Sequence, residues 1–461
     1  MDNLSVPHLS APFESLEFEA IPSVALDGVT SDFRETGGVD LLARWDRHQD
    51  WFDARLRHGL DPYCKRTQAP IAPECTATFR DGTIAAKGIN FASQDYLNLA
   101  SHPSVHAAAN SAIARFGVHS AGSAALMGDT MLSEQLERRI ARFLGYADCI
   151  LFPTGWAAGY GIVKFLAGSD DHIVIDVLSH ACLQEGARNS GAQIHTFPHL
   201  SNDAVLRRLT RIRAEAPEAG ILVVTEGLFS MDSDVPDLAG LHVLCRQHRA
   251  TLLVDIAHDL GALGPGGRGH LGEQGLLGLA DVVMGSFSKT FASNGGFVAT
   301  QSRSLKLALR GGCGPLLFSN ALSPMQAAIV MAAFGVVESM EGEKRRTQLM
   351  RNVLHLRAGL TAQGFNVMGQ PSAIVPVLLG NNAVSRLMTR YALEEGALIN
   401  LAEFPAVSRT SCRWRLQVMA EHTPDHIEAM IRIAGLARAK AYAHSSALGL
   451  RLSAHPTSAL E

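Results

Sequence analysis

The hexapeptide GSFSKT occupies residues 285–290, directly after the apolar run DVVM at residues 281–284. Such a run is typical of a buried strand, and Lys289 follows it among small and hydroxylated residues. A lysine in this position is costly unless its amine takes part in chemistry or is bonded to another group. Upstream, a second apolar run ends at Asp255, and His258 stands three residues further on. These three side chains are the first candidate functional residues.

Short apolar runs recur through the middle of the chain. They are CILF at 149–152, IVID at 173–176, ILVVT at 221–225, LLV at 252–254 and FVA at 297–299. The runs are too continuous for strands with one solvated face, and helical patterns such as residues 132–144 and 238–248 separate them. The sequence therefore predicts an α/β fold with a mainly parallel sheet covered on both faces.

The chain is long enough for one large domain with a smaller companion. A helix is expected to begin near Asp40, and a long helical pattern covers residues 325–360. The predicted segments are a flexible N-terminal extension at 1–37, an N-terminal helix and small-domain segment at 38–100, a large domain at 101–325, a small C-terminal α+β domain at 326–440, and a tail at 441–461.

Composition narrows the class of protein. The 461 residues are 47% apolar and 18% charged, which is typical of a globular protein, and a net charge of −4 without a dense Lys/Arg stripe argues against nucleic-acid binding. Seven scattered cysteines without a CxxC pair argue against a disulfide framework or a metal site and favour a reducing cytoplasm. No signal peptide is apparent, and no apolar stretch reaches the roughly 20 residues of a membrane span.

The candidate residues match the needs of one cofactor. Ser230 follows the run at 221–225, and TGW at 154–156 opens a predicted helix whose free N–H groups suit a phosphate. Each residue alone also has a structural explanation: Asp255 as a turn former, His180 as a packed or surface histidine, Lys289 as a lysine reaching solvent. Lys289, Asp255 and His258 together are the parts needed to hold and tune pyridoxal 5'-phosphate (PLP).

The chain resembles the α-oxoamine synthases, a family of fold-type-I PLP enzymes, over roughly residues 88–435. The resemblance rests on collinear motifs: SQDYL at 93–97, GS at 122–123, LE at 136–137, TGWAA at 154–158, DVLSHA at 176–181, EGLFSMD at 226–232, DIAH at 255–258, GRG at 267–269, SFSK at 286–289 and RL at 415–416. It implies a large domain with a mostly parallel seven-stranded sheet, which is the PLP-binding domain, and a smaller C-terminal α+β domain.

The resemblance also implies roles at the cofactor ring. Lys289 would attach the cofactor and then act as the base at the substrate Cα. Asp255 would pair with the pyridinium nitrogen, and His258 and Ser230 would contact the phenolic oxygen. His180 would stack on the ring face and bond the substrate carboxylate or acyl carbonyl. Lys289, His180, Asp255 and His258 are thus the predicted catalytic residues.

Further roles concern the phosphate, the dimer and the substrate. The resemblance implies a homodimer with shared active sites, in which FSNAL at 318–322 reaches the neighbour's phosphate. Arg415 would hold the amino-acid carboxylate by a bidentate contact, and Gln94 and His119 would border the substrate. The predicted phosphate ligands are Thr154, Gly155, Trp156, Ser286, Ser319 and Asn320.

The chain departs from the family at three places. AEFP at 402–405 carries Glu403 where many members have an arginine, and Gln94 replaces a frequent asparagine. In GVHSAGS at 117–123, His119 and Ala121 replace glycines. Because that loop borders the acyl site in the family, the acyl group is expected to differ from that of the standard biosynthetic members.

The expected reaction is a decarboxylative condensation of a small amino acid with an acyl thioester, in lipid or secondary-metabolite biosynthesis. SFSKTF followed by GGF at 295–297 looks most like the serine palmitoyltransferase branch, which favours serine or alanine with a medium or long acyl chain. Coenzyme A and an acyl carrier protein are both possible donors. The alternatives are a fold-type-I aldolase or aminotransferase, and a non-catalytic partner subunit, against which the presence of Lys289 argues.

Overall fold

The computed structural model describes residues 18–61 and 63–450. The helices are α1 Ser23–Asp27, α2 Asp46–Arg57, α3 Pro103–Phe116, α4 Met131–Leu144, α5 Gly155–Leu166, α6 Ala181–Arg188, α7 Asn202–Glu215, α8 Leu238–Gln247, α9 Gly269–Glu273, α10 Arg303–Gly312, α11 Gly314–Leu317, α12 Pro324–Val337, α13 Met340–Ala362, α14 Asn382–Glu394 and α15 Pro424–Ala447. The strands are β1 Arg66–Thr67, β2 Glu74–Thr78, β3 Ile84–Asn90, β4 Asp148–Phe152, β5 His172–Asp176, β6 Gln193–Phe197, β7 Ile221–Glu226, β8 Thr251–Asp255, β9 Val282–Ser286, β10 Gly296–Thr300, β11 Asn366–Val367, β12 Ile374–Gly380, β13 Ala397–Leu398, β14 Leu401–Ala402 and β15 Cys412–Gln417.

The chain divides into two compact units. One unit is Gln94–Met350, and the other is formed by the chain on either side of it. The predicted boundary at residue 325 lies earlier than the end of this unit because α12 packs on α3 and α4, which belong to the same unit.

The unit Gln94–Met350 contains a seven-stranded sheet in the order β4-β10-β9-β8-β7-β5-β6. Strands β5 to β9 pair in parallel, whereas β10 runs antiparallel to both β9 and β4. This confirms the predicted mostly parallel sheet of seven strands. Its central strands are rich in Val, Ile and Leu because both of their faces are covered, and Ile173, Val223 and Leu253 are fully buried.

The helices of this unit begin and end at the residues that the sequence signals favour. Thr130 caps α4 by accepting the N–H of Ser133, and Gly145, with a φ of 79°, ends it. Helix α5 begins after Thr154, whose hydroxyl accepts the N–H of Ala157. Ordinary capping chemistry therefore fixes the start of the helix that points its N-terminus toward the edge where β4 and β9 end.

The other unit contains two four-stranded sheets, β1-β2-β3-β13 and β11-β12-β15-β14. Helices α14 and α15 pack on each other, and α14 also contacts β12 and β15. Trp414 on β15 is fully buried and donates its indole N–H to the hydroxyl of Thr389 at 2.9 Å. Arg415 therefore lies on a well-ordered strand of this unit, with its N–H bonded to the Asn400 carbonyl at 2.9 Å.

Two helical predictions are corrected by the structure. The first helix of the segment that follows residue 38 begins at Asp46 instead of Asp40, after a short 3-10 turn. The pattern at 325–360 is two helices, α12 and α13, because Ser339 ends the first by donating its hydroxyl to Val336 and accepts the N–H of Glu341 at the start of the second.

Residues 18–37 of the predicted N-terminal extension are described, and residues 1–17 lie outside the described residues. Helix α1 buries Ala25 and Leu26. The guanidinium of Arg386 on α14 donates to the carbonyls of Ala25, Leu26 and Gly28 at 3.2, 2.6 and 2.8 Å. At the other end, α15 continues to Ala447, past the predicted start of the tail at 441, and residues 451–461 lie outside the description.

Glu403 stands where many members of the family that the sequence resembles have an arginine. It binds Arg386, the residue that anchors the α1 segment. Its carboxylate lies 2.8 Å from Arg386 Nε and 2.9 Å from Arg55 Nη1, and all three side chains are buried. Burial alone would raise the pKa of Glu403, but the two guanidinium groups lower it below its usual value. Glu403 is therefore a structural anion in this chain.

In the residues that the structure describes, no helix is long and apolar enough to cross a membrane. Within the same ranges, no group of three or more His, Cys, Asp or Glu side chains is arranged to hold a metal ion.

Candidate active site

A cavity of about 270 Å³ opens where β5, β7, β8 and β9 end. These strands are parallel, so the residues that follow them meet at one edge of the sheet. Of the residues predicted from the sequence, the cavity brings together Thr154, Gly155, Trp156, His180, Asp255, His258, Ser286 and Lys289.

Lys289 lies half-buried in the turn after β9. The turn is anchored on both sides, because Phe287 and Thr290 are buried and the N–H of Phe287 donates to the Gly295 carbonyl at 3.0 Å. Lys289 lines the cavity. A half-buried primary amine in a fixed turn is suited to bind a carbonyl compound covalently.

Asp255 and Glu226 end neighbouring strands in direct register and both line the cavity. Both are buried. Burial raises the pKa of Asp255 above its usual value, and His180, the N–H of Ala257 and Lys289 offset only part of this rise. Burial raises the pKa of Glu226 well above its usual value, and the nearby charge of Asp255 raises it further. The pair is therefore built to carry one negative charge, with the proton on Glu226.

His258 is positioned by Tyr96. Its ring Nδ1 lies 3.0 Å from the Tyr96 hydroxyl, and both residues are buried. Asp255 accepts the N–H of Ala257 at 2.8 Å, which fixes the chain between Asp255 and His258. The two side chains are thus held on one short segment beside the cavity.

His180 is the N-cap residue of α6. Its Nδ1 accepts the backbone N–H of Cys182 at 3.3 Å and lies 3.0 Å from the Cys182 thiol sulfur. Because a backbone N–H can only donate, Nδ1 carries no hydrogen and the ring proton is on Nε2. The backbone N–H of His180 donates to Glu226 at 2.5 Å. His180 is therefore a fixed hydrogen-bond donor at Nε2.

The N-terminus of α5 closely approaches the end of β9 and the start of β10. A Cβ atom on Gly155 would lie 2.4 Å from the Ser286 side chain, and one on Gly296 would lie 2.6 Å from the Gly155 Cα. Only glycine fits at either position. The hydroxyls of Ser286 and Ser288 lie 2.7 Å apart beside this helix end. Free helical N–H groups next to hydroxyls form a site for a phosphate.

Several predicted residues do not line this cavity. Ser230 lies in the turn between Phe229 and Asp234. His119 and Asn320 are exposed and lie 3.1 Å apart, Nε2 to Nδ2, so their two segments are joined. The remaining residues of this group are Ser319 and Gln94, both half-buried, and Arg415 on β15 of the other unit.

Seven residues that line the cavity were not predicted, and four of them carry polar side chains or a thiol: Glu226, Cys182, Ser288 and Asn294. Glu226 was detectable, because it ends the apolar run at 221–225 as Asp255 ends the next run. The position of Cys182 depends on the cap of α6, and that of Asn294 on the turn that returns to β10, neither of which leaves a signal in the sequence.

Residues 86–433 match the family model described as "Aminotransferase class I and II". The chain belongs to the aminotransferase class I and II family. Its fold is that of the fold-type-I PLP transferases, and PLP is its cofactor.

Relatives of known name place the protein more narrowly within this aminotransferase family. An 8-amino-7-oxononanoate synthase of Trichlorobacter lovleyi is 37% identical over 338 residues, 73% of this chain and 85% of the relative. One from Geobacter sulfurreducens is 37% identical over 346 residues, 74% of this chain and 87% of the relative. A solved serine palmitoyltransferase of Sphingomonas wittichii is 31% identical, with a TM-score of 0.80, covering 89% of this chain and 99% of that one. The protein is an α-oxoamine synthase, a PLP-dependent acyltransferase that forms a carbon–carbon bond.

The cavity fits this cofactor. Asp255 is a buried carboxylate that calls for a cationic partner, and a pyridinium nitrogen is one. Lys289 would be the amine for the aldehyde, and the start of α5 with Ser286 would receive the phosphate, since all of these groups line the cavity. Bound there, PLP supplies an electron sink for charge that develops at an amino-acid Cα.

Proposed function

We propose that the protein condenses serine or alanine with an acyl thioester. The Cα–carboxyl bond of the amino acid breaks, the Cα–acyl bond forms, and the thioester C–S bond breaks. The products are an α-aminoketone, carbon dioxide and the free thiol. The name 8-amino-7-oxononanoate itself describes adjacent amino and oxo groups, which supports this class of product.

The observation that carries the proposal is the single cavity shared by Lys289, Asp255, His180 and the N-terminus of α5. Lys289 would hold the cofactor and remove the Cα proton. Asp255 would keep the pyridine nitrogen protonated, and His258 and Ser230 would contact the phenolic oxygen. His180 would stack on the ring and donate from Nε2 to the substrate carboxylate or the acyl carbonyl.

We assign substrate selection to residues that do not line the cavity. Arg415 would hold the amino-acid carboxylate, since a guanidinium can bind both of its oxygens. Gln94 and His119 would contact the amino acid and the acyl chain. The resemblance of SFSKTF to the serine palmitoyltransferase branch, together with the structural similarity to that enzyme, supports serine with a medium or long acyl chain. Coenzyme A or an acyl carrier protein would deliver the acyl group.

We also propose a homodimer in the cytoplasm, with active sites completed across the interface by Ser319 and Asn320. Two exposed segments of the described chain support the dimer. Val118, Met127 and Phe318 are 65%, 93% and 86% exposed. Ala321 joins the segments by donating its N–H to the Gly122 carbonyl at 2.8 Å. Exposed apolar side chains grouped in this way mark protein interfaces.

The test is a substrate panel with the purified protein and added PLP. Glycine, alanine and serine are each combined with short- and long-chain acyl thioesters of coenzyme A and of a carrier protein, and products are identified by mass. We expect an α-aminoketone, carbon dioxide and free thiol in equal amounts with serine or alanine. Transamination or aldol cleavage without thiol release would instead indicate the alternative enzyme classes.

Lys289→Ala is the decisive variant, and Lys344→Ala on the exposed face of α13 is its matched control. The wild type and the control should show a visible absorbance band with PLP, and Lys289→Ala should lose both the band and the condensation. A wild type without the band at saturating PLP would indicate a non-catalytic subunit and overturn the proposal.

A further inference from the structure

His199, between β6 and α7, contacts two carboxylates at once. Its Nδ1 lies 2.9 Å from Asp176 Oδ1, and its Nε2 lies 3.3 Å from Asp234 Oδ2. Because ionised carboxylates only accept hydrogen bonds, both ring nitrogens must carry a hydrogen, and the ring is an imidazolium. The ring also lies edge-on to Phe229, with centroids 4.5 Å apart.

Each of these aspartates belongs to a loop that carries a proposed active-site residue. Asp176 ends β5, accepts the N–H of Leu178 at 2.9 Å and lies four residues before His180. Asp234 closes the turn that contains Ser230, since the N–H of Phe229 donates to its carbonyl at 2.9 Å. His199 therefore stands between the loop 177–180 and the turn 229–234.

The backbone on both sides of this contact is held in an uncommon conformation. Leu200 has a φ of 61° and Ser233 a φ of 60°. Residues other than glycine rarely adopt such angles unless the surroundings impose them. The N–H of Leu200 donates to Asp176 Oδ2 at 3.0 Å, so this carboxylate bonds both the ring of His199 and the backbone that follows it.

We infer that His199 is a positioning residue of the active site: its imidazolium joins the two loops and thereby holds His180 and Ser230 in place for the cofactor. The inference rests on the proposed function for the roles of His180 and Ser230. The joining of the loops itself depends only on the contacts of His199, Asp176 and Asp234. No atom of His199 needs to touch substrate or cofactor.

The contact of His199 with Asp176 and Asp234 should weaken at alkaline pH. Burial lowers the pKa of His199, but hydrogen bonds and charge from Asp176 and Asp234 raise it to about 9. Glu226, at the end of β7, is the further acidic group close to Asp176. Because the pKa in the folded protein lies above the usual value of about 6.5, the stabilisation is complete below that pH and disappears as the pH rises through about 9.

The test is hydrogen exchange of the cofactor-free protein, analysed by mass spectrometry in wild type and His199→Asn. We expect faster exchange in residues 177–183 and 227–235 of the variant, without change in β8 and β9. His195→Asn is the matched control, because His195 lies on β6 and its ring contacts His172 at 3.0 Å instead of either loop. Unchanged exchange in both loops, or faster exchange throughout the sheet, would overturn the inference.

Two further measurements separate this inference from the proposed function. The affinity of His199→Asn for PLP should fall about tenfold, the loss expected for one charged hydrogen bond. Protection of the two loops in the wild type, corrected for the intrinsic exchange rate, should fall between pH 8 and roughly 10.

The variant Asp234→Asn keeps the contact between His199 and Asp176, and it serves as the test if His199→Asn does not fold. It should increase exchange mainly in residues 227–235. A wild type that fails to bind PLP refutes the proposed function, whereas equal PLP affinity in wild type and His199→Asn refutes the positioning role.

Discussion

At the scale of single residues, the carboxyl pair at the ends of β7 and β8 has an unequal division of charge. Asp255 faces the amine of Lys289 and the ring of His180, while Glu226 accepts the N–H of His180 and lies beside the charge of Asp255. Glutamine is uncharged and has the shape of the protonated glutamate expected at position 226. Asparagine lacks the negative charge of the ionised aspartate expected at position 255. The two amide variants should therefore differ.

We expect Asp255→Asn to reduce condensation by roughly 100-fold or more, because the positive pyridinium loses its partner. Glu226→Gln should be far less harmful than either Asp255→Asn or Glu226→Ala, since it keeps an acceptor for His180. The measurement is the rate of thiol release at saturating substrates, with PLP affinity from absorbance. Equal damage from both amide variants would show that Glu226 also carries a charge.

Asp259 is a fully buried carboxyl next to His258 that has no assigned role in the chemistry. Its Oδ2 accepts the N–H of His270 at 2.8 Å, and its Oδ1 has no hydrogen-bond partner in the part of the chain that the structure describes. Burial raises the pKa of this carboxyl to about 6. A raised pKa means that the folded state favours the protonated form, so stability falls as the pH rises from about 4 through about 6.

Asp259→Asn should remove this cost of ionisation. We expect the variant to be more stable than the wild type at pH 7.5 by about 1–3 kcal/mol, and the difference to shrink at pH 5. Thermal unfolding of both proteins at the two pH values measures it. A stability difference that does not change with pH would contradict the assignment.

At the scale of elements, the anchoring of α1 depends on the ion group of Glu403, Arg386 and Arg55. Replacing Glu403 leaves two buried guanidinium groups without their anion. Glu403→Gln should therefore lower the free energy of unfolding by about 3–5 kcal/mol. Glu394→Gln on α14, the helix that carries Arg386, is the control, because the Arg390–Glu394 pair at 2.8 Å is partly exposed and worth only about 0.3–0.5 kcal/mol.

Denaturant unfolding of the three proteins gives these values. The same experiment on a chain lacking residues 1–28 should also give a lower free energy of unfolding, since the Arg386 guanidinium then loses its three carbonyl acceptors. Equal stability of the Glu403 and Glu394 variants would argue that the buried ion group is not needed.

Helices and strands of this chain differ in how well the sequence predicts them. The central strands could be predicted because a strand buried on both faces is mostly apolar, as residues 173–175 and 221–224 show. Helix α1 could not, since five residues carry too little periodicity and their support comes from Arg386, 358 or more positions away. The break at Ser339 is set by one hydroxyl, which a helical hydrophobic pattern does not record.

At the scale of the whole molecule, the exposed apolar segments around residues 118–127 and at Phe318 call for a covering surface. We expect the protein to behave as a dimer, with twice the chain mass in light scattering. Phe318→Glu combined with Met127→Glu should produce monomers, because charges in a desolvated interface are unfavourable. Exposed Leu307→Glu on α10 is the control. A dimer that survives the double change would place the interface elsewhere.

The residues that line the cavity could be predicted better than the surroundings of the proposed substrate residues, for a physical reason. Lys289, Asp255 and His180 follow predictable strands, and parallel strands bring their ends together without further information. Glu226 was missed although it obeys the same rule. Arg415, Gln94 and His119 depend on how loops and the second unit are arranged, and the pattern of apolar residues carries little record of that.

All residues that line the cavity come from positions 154 to 295, within one compact unit. The residues that line the cavity are thus contiguous in the chain, whereas the residues proposed to choose the substrate lie before or after them. The proposed substrate residues can accordingly be changed without altering the cavity lining. For protein engineering, this makes Gln94, His119 and Arg415 the places to diversify, with residues 154–295 kept constant.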